Sequence, residues 1–417
     1  MVLNYIWVGF FLVSFVVAII QAIFFGDVEV FSRIVDSTFD MAKFAVLNFA
    51  LPLTGVMTLW LGIMNIGEKA GAIRVLSRII GPFFSKLFPE VPKNHPVNGQ
   101  LLMNFSANML GLDNAATPLG LKAMDSLQEL NPDKEKASNA QIMFLALNTS
   151  GLTIIPISVM AIRATVPGPG GVLAANPTDV FIPLLMTTAI AMLSAILFVG
   201  IKQKLDLFNK TVVGWIGGVG AVLGLAVWGF SRLSPAEMEV VSKVVSASAI
   251  ILIIAVFMGG ALYKKINVFD AFIEGAKNGF STIIKIIPYM VAMLVGIGVL
   301  RASGTMDLII DGIRVLVTAL NLDTSFVDSL PTAFMKPFSG SGAKAMAVES
   351  IKTFGADSFT GRLSCLFQGA ADTTFYIVAL YFGSVGIKNT RYAIGAGLFV
   401  DLMGILAAIF FGYLFFG

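Results

Sequence analysis

Apolar residues along this chain come in blocks about as long as a bilayer is thick, roughly 20 residues each. The blocks lie at about 4–25, 44–66, 139–163, 178–201, 212–230, 244–263, 280–302, 360–385 and 391–416. Each predicts a membrane-crossing helix. Two further segments, about 98–123 and 330–350, are too polar and too broken for plain spans. They predict hairpins that enter the hydrocarbon and return. Each follows a stretch that mixes charged and apolar residues, 68–88 and 305–321, as helices lying along an interface do. The expected fold class is therefore an all-α polytopic membrane protein, with about nine transmembrane helices and two re-entrant hairpins.

The pattern repeats. Pro52 in Phe49-Ala50-Leu51-Pro52-Leu53 matches Pro288 in Ile286-Ile287-Pro288-Tyr289, and Gly62-Ile63 matches Gly298-Val299 at the same offset. Ile73-Arg74-Val75-Leu76 recurs as Ile313-Arg314-Val315-Leu316. Asn104-Phe105-Ser106-Ala107-Asn108 falls opposite Pro337-Phe338-Ser339-Gly340-Ser341, and Asn148 to Thr153 opposite Gln368 to Thr374. The unit reads span, interface helix, broken hairpin, span with a polar break, closing span. The expected organisation is an N-terminal helix (1–39), a first repeat (40–204), linking scaffold helices (205–269) and a second repeat (270–417). An odd number of crossings separates the copies, so they are expected to be inverted, the usual plan of secondary transporters.

The polar breaks carry the candidate chemistry. Unpaired backbone groups in hydrocarbon cost several kcal/mol each, so irregular backbone persists there only inside protein or along a watery cavity. Asn104, Ser106, Asn108 and Asn114 lie in the first hairpin, and Ser339 and Ser341 in the second. Asn148 and Thr149 interrupt one span; Gln368 and Thr373 interrupt another. Amides and hydroxyls both donate and accept, which suits a neutral polar solute. Ionisable residues at membrane depth are functional candidates by default. They are Lys285, Lys336, Lys344, Glu349, Asp372 and Asp401. Asp372, flanked by polar neighbours, is the first choice for coupling to an ion or proton, with Lys336 as its partner. Lys285 and Asp401 are expected to pair or to reach for the interface.

Composition narrows the function. The chain is 57% hydrophobic and 13% charged, against about 25% charged in soluble domains. A net charge of +3 is too small to imply nucleic acid. One cysteine (Cys365) and one histidine (His95) exclude an intrachain disulfide and a Cys/His metal cluster. No nucleophile–base set or nucleotide loop is evident, so an enzyme is not expected, nor a cofactor or metal; Na⁺ enters only as a coupling ion. Met1 to Asn4 has no basic residue and the apolar run to Phe25 is long for a signal core, so it is read as the first span. Lys and Arg concentrate on the N-terminal side of the spans, which makes that side cytoplasmic, in a bacterial inner membrane. The helices between the repeats, with small residues from Gly214 to Gly224, suit close packing and an oligomer contact.

At the breaks the sequence resembles two known families. Asn104 to Met124, with Asn104-Phe105-Ser106-Ala107-Asn108-Met109-Leu110-Gly111-Leu112-Asp113-Asn114 at its start, is similar to the signature of the spore maturation protein A family. Ser339 to Lys344, Asp357 to Leu363, Gln368 to Tyr376 and Tyr381 to Ala393 are similar to the spore maturation protein B family. The chain looks like a fusion of the two. The resemblance implies a pair of nucleoside recognition, or gate, domains, related to concentrative nucleoside transporters and to the membrane part of bacterial ferrous iron transporters. It also implies a link to spore core dehydration in endospore formers. The chain departs from the iron transporters in lacking a P-loop domain and a cysteine in the break, so GTP-driven iron transport is not expected.

Two functions follow. One is a secondary transporter or exchanger of a small polar solute, nucleoside-like or another metabolite, driven by Na⁺ or H⁺. The other is a scaffold or regulator of envelope or spore maturation, with an envelope protein as partner. A scaffold needs no polar lining at the midplane, and that lining separates the two.

Overall fold

A computed structural model describes residues 2–417, and side chains for all of these except 2–4, 113–115, 235, 236, 239 and 285. The expected sites Asn114 and Lys285 thus have side chains outside the described residues. The described residues are helical with one isolated bridge, Lys136 to Asn389. Eight helical segments are long and apolar enough to cross a membrane. The chain is a multi-pass membrane protein. Eight of the expected blocks reappear among these segments. The ninth, 139–163, is instead two short helices, because the backbone breaks at Gly151.

The helices run in two similar series. The first opens with α1 (Val2–Phe24), then α2 (Val30–Lys43), a π-helical turn (Phe44–Ala50) and α3 (Leu51–Ala70), which together form one continuous rod. Pro52 has no N–H to give to the preceding turn, which accounts for the wider winding just before it. Gly71, at φ +91°, turns the chain into α4 (Ala72–Leu87). Then come α5 (Val97–Met109), α6 (Asp113–Leu130), α7 (Asn139–Ser150), α8 (Ile157–Thr165) and α9 (Phe181–Lys202). Two mostly exposed apolar helices follow, α10 (Lys210–Phe230) and α11 (Pro235–Tyr263).

A second series of helices follows. The long helix α12 (Val268–Ala302), with Pro288 inside it, leads through Gly304 at φ +70° to α13 (Thr305–Ala319). Then follow α14 (Leu330–Met335), α15 (Gly340–Phe354), α16 (Phe359–Gly369), α17 (Thr374–Ser384) and α18 (Ala393–Phe416).

The two long helices cross closely and run antiparallel. Asn65 Nδ2 donates to the carbonyl of Ala271 at 2.7 Å. Further back along α3, Leu61 lies against Gly275 and Thr58 against Gly279. The matched glycines sit in matched contacts: Gly62 lies under the ring of Phe272, and Gly298 under Met41 and Ser37. α1 lies along the second half of α12, where Trp7 Nε1 donates to Ala292 O at 2.9 Å and Gln21 Nε2 to Ser303 O at 3.0 Å. Small residues let backbones approach in a membrane, where lipid removes the usual hydrophobic drive between helices.

Candidate functional site

Four breaks in the helices meet at the middle of the molecule. The first lies between α5 and α6. Gly111 takes φ +70°, its N–H bonds to Asn108 O at 2.9 Å and the N–H of Leu112 bonds to Ala107 O at 2.9 Å. This Schellman arrangement ends α5 and satisfies its last carbonyls. Asn104 Nδ2 then donates to Ala116 O at 2.8 Å and ties the two arms into a hairpin.

The second break, 151–156, divides α7 from α8. Gly151 at φ +56° ends α7, and Thr153 Oγ1 donates to Gly151 O at 2.8 Å. The N–H of Ile154 reaches across to Met109 O at 2.6 Å, so the first hairpin tip rests on this break. Asn108 Nδ2 adds a bond to Asn148 Oδ1 at 2.8 Å.

The second series builds the same contact. Between α14 and α15, Ser339 caps α15 by accepting from Gly342 N at 2.9 Å, and its hydroxyl lies 3.2 Å from that of Ser341. Between α16 and α17, residues 370–373 leave the helix. The N–H of Phe375 donates to Pro337 O at 3.1 Å, and the rings of Phe338 and Phe375 stack at 5.3 Å. A Cβ on Gly340 would lie 3.0 Å from Thr373 Oγ1. Finally the two broken spans touch each other: Asp372 N–H donates to Thr149 O at 2.7 Å, against Gly151.

Most of the expected site residues are brought to this meeting point. Asn104, Ser106 and Thr149 are fully buried, and Asn148, Ser339, Gln368, Thr373 and Lys336 are nearly so. Asn108 and Ser341 are half-buried, and Asp372 is exposed. Asn104 Oδ1, Ser106 Oγ, Thr149 Oγ1 and Gln368 Oε1 are buried without a hydrogen-bond partner. Leaving such an atom unsatisfied costs about 1–3 kcal/mol. All four lie on the helices that flank these breaks.

Sequence reading missed some participants. Tyr381 directs its hydroxyl to Asn148 Oδ1 at 3.4 Å, and fits only because Gly120 beneath it has no side chain. Tyr381 stands in a family-like motif, but nothing in the sequence marks it as a partner of Asn148. Asp401 Oδ2 accepts from Thr374 Oγ1 at 2.6 Å, and the expected partner Lys285 has its side chain outside the described residues. Glu349 pairs with Arg301 at 3.0 Å.

The broken spans end in two latches that join the two series. Each helical segment of these spans is 9–12 residues long, so each latch stands about 14–18 Å from the breaks at 1.5 Å per residue. At one end Arg163, fully buried, holds Asp179 at 2.8 Å and Asp357 at 3.0 Å, and Arg362 holds Asp179 at 2.8 Å. Burial pushes the Asp179 carboxyl up from its ordinary value, against the pull of Arg163 and Arg362. At the other end, the N–H groups of Lys388 and Asn389 both donate to Glu135 O at 2.9 Å, and Ala137 N–H donates to Asn389 O at 3.0 Å. Arg391 Nη1 adds bonds to Ala137 O at 3.1 Å and Asn139 Oδ1 at 2.9 Å, beside a cavity of about 480 Å³. Ser138 and Gln141 form a capping box that starts α7 here. Ser138→Ala is expected to lower the unfolding free energy by about 1 kcal/mol, read as a small drop in the melting midpoint.

The nucleoside recognition Gate family model matches residues 50–165 and 283–388, covering both sets of breaks. The chain belongs to the Gate family. Each Gate match takes in a long-helix segment around its proline, a hairpin and a broken span. Spore maturation protein A of Bacillus subtilis (strain 168) is 39% identical over 194 residues, 46% of this chain and 92% of the relative. Spore maturation protein B of the same organism is 39% identical over 180 residues, 43% of this chain and 99% of the relative. The expected likeness to both families is borne out. A pair of Gate domains in a multi-pass membrane chain points to a membrane-transporter-like function.

Proposed function

We propose that this protein is a secondary transporter or exchanger of a small polar, nucleoside-like solute, bound where the four helix breaks meet. The observation that carries the reading is the group of buried, unpartnered polar atoms on Asn104, Ser106, Thr149 and Gln368. Asn108, Asn148, Ser339, Ser341 and Thr373 complete the lining, and Asn114 stands in the same hairpin. A scaffold gains nothing from such a group and bears its cost.

Antiparallel α3 and α12, with Gly62 and Gly298 in matched contacts, support an inverted repeat. Two hairpins resting on their own broken spans support re-entrant hairpins. In this reading the latches close the two ends, and solute passes as they open in turn. No covalent chemistry, resident cofactor or metal is involved. The protein lies in a bacterial cytoplasmic membrane with its N-terminus inside. Contact with an envelope protein or a second copy falls to α10 and α11.

The test is a thermal-shift series on the purified protein in detergent, with nucleosides, nucleobases, dicarboxylates, amino sugars and peptidoglycan fragments. A binder at about 100 times its Kd adds about 2.7 kcal/mol. Asn108→Leu is expected to keep the fold and lose both the shift and solute flux. Flux in Asn108→Leu equal to that of the natural protein would sink the site. A silent series moves the weight to the scaffold.

A further inference from the structure

The acid that backs the second broken span has no role so far. Asp401 sits within α18, eight residues, or about 12 Å, from its start. It is 4% exposed. Gly397 and Gly404 flank it one turn away on either side. A Cβ on Gly397 would meet Thr374 Cγ2 at 2.5 Å, and one on Gly404 would meet Ala370 O at 3.1 Å. These glycines press α18 against the break between α16 and α17, with Asp401 between them. One carboxylate oxygen accepts from Thr374 Oγ1 at 2.6 Å. The other, Oδ1, is buried and has no hydrogen-bond partner.

Asp401 lies within electrostatic reach of Lys336 and Asp372. Among the described residues, the cations on the other helices packed on α18 are Lys202 of α9, Lys243 of α11 and Arg362 of α16. α7 has none, and Lys202 of α9 and Arg362 of α16 sit at the far ends of their helices. A carboxylate this deeply buried, with one oxygen left without a hydrogen bond, is costly enough as an anion that it takes up a proton or a cation.

We propose that Asp401, oriented by Thr374, is a binding site for one monovalent cation, H⁺ or Na⁺. The required chemistry is a single positive charge on Oδ1. Because the site backs the break that carries Gln368, Asp372 and Thr373, filling it changes the charge behind the solute lining. Its part in coupling rests on the transport reading; the binding does not. It also moves the coupling role from Asp372, which is exposed, to an acid that is sealed from solvent.

The test needs no solute. Melting of the full chain in detergent is followed against Na⁺ at alkaline pH, with choline holding ionic strength constant, and against pH without Na⁺. A rise with Na⁺ identifies a Na⁺ site; a rise only on acidification identifies a proton site. Asp401→Asn, neutral like the filled carboxyl, is expected to lose that dependence while melting at least as high as the unfilled natural protein. If Asp401→Asn does not fold, Thr374→Val keeps the carboxylate and is expected to raise the half-saturating cation level by about tenfold, a change of about 1.4 kcal/mol. The same cation response in Asp401→Asn, or no response in the natural protein in either arm, overturns the proposal. A response lost in Asp401→Asn alongside a silent solute series upholds the cation site and removes only the transport reading.

Discussion

Arg163→Met is expected to lower the unfolding free energy by about 3–5 kcal/mol. Its guanidinium is fully buried and serves Asp179, Asp357 and the carbonyls of Ala356 and Asn176. Asp179 is itself largely buried, and burial already pushes its carboxyl up from the ordinary value. With Arg163 gone, Asp179 keeps only Arg362. The cost is chiefly that of the stranded carboxylate, so removing both partners is cheaper than removing one. Arg163→Met with Asp179→Leu should therefore recover a large part of the loss. The two single variants and the double, melted side by side, give the coupling directly. A loss in Arg163→Met below about 1 kcal/mol, the range of an exposed pair, would show that this latch does not hold the two series together.

The second large effect belongs to Gly275. A Cβ there would lie 2.4 Å from Leu61 O and 2.5 Å from Asn65 Cβ. The first of these is backbone and cannot rotate away. α3 and α12 must separate, and the bond from Asn65 to Ala271 O goes with them. Gly275→Ala is expected to cost about 1–3 kcal/mol, and Gly275→Leu to prevent recovery of a monodisperse protein. Gly217 on α10 is the control, because a Cβ there meets nothing within 4 Å. Gly217→Ala should change stability by no more than about 0.5 kcal/mol. Equal behaviour of the two alanine variants in size-exclusion and melting would disprove the close crossing.

The spans were legible because hydropathy is a local property. So were the breaks: Asn104 to Asn108 and Ser339 to Ser341 are polar runs inside apolar sequence, with Gly and Pro where the backbone must turn. The break expected in span 139–163 at Asn148 to Thr153 is where the helix stops, with Gly151 taking a positive φ. The meeting of the four breaks was not legible. It depends on contacts such as Asp372 to Thr149, more than 200 residues apart in the chain. The latches were missed for a different reason. Arg163, Asp179, Asp357 and Arg362 stand at helix ends, where charges are ordinarily solvated, and only tertiary packing buries Arg163. Asp401 showed itself as an acid in an apolar helix, but its partner did not, because a threonine 27 residues away in sequence carries no mark of pairing.

The two latches differ in a way that sets a resting preference. The one around Arg163 has Arg163 and Asp179 buried and only Asp357 and Arg362 partly exposed, and opening it means hydrating buried charge. The one around Glu135 is built on three backbone bonds and an ion pair whose side chains are 75% and 68% exposed. At about 0.15 M salt the screening length is about 8 Å, which weakens exposed pairs and leaves buried ones almost untouched. Of the two latches, ionic strength therefore acts more strongly on the one around Glu135. In a transporter of this build, rising salt on the Glu135 side tilts the population toward states open on that side, with no change in the solute site itself.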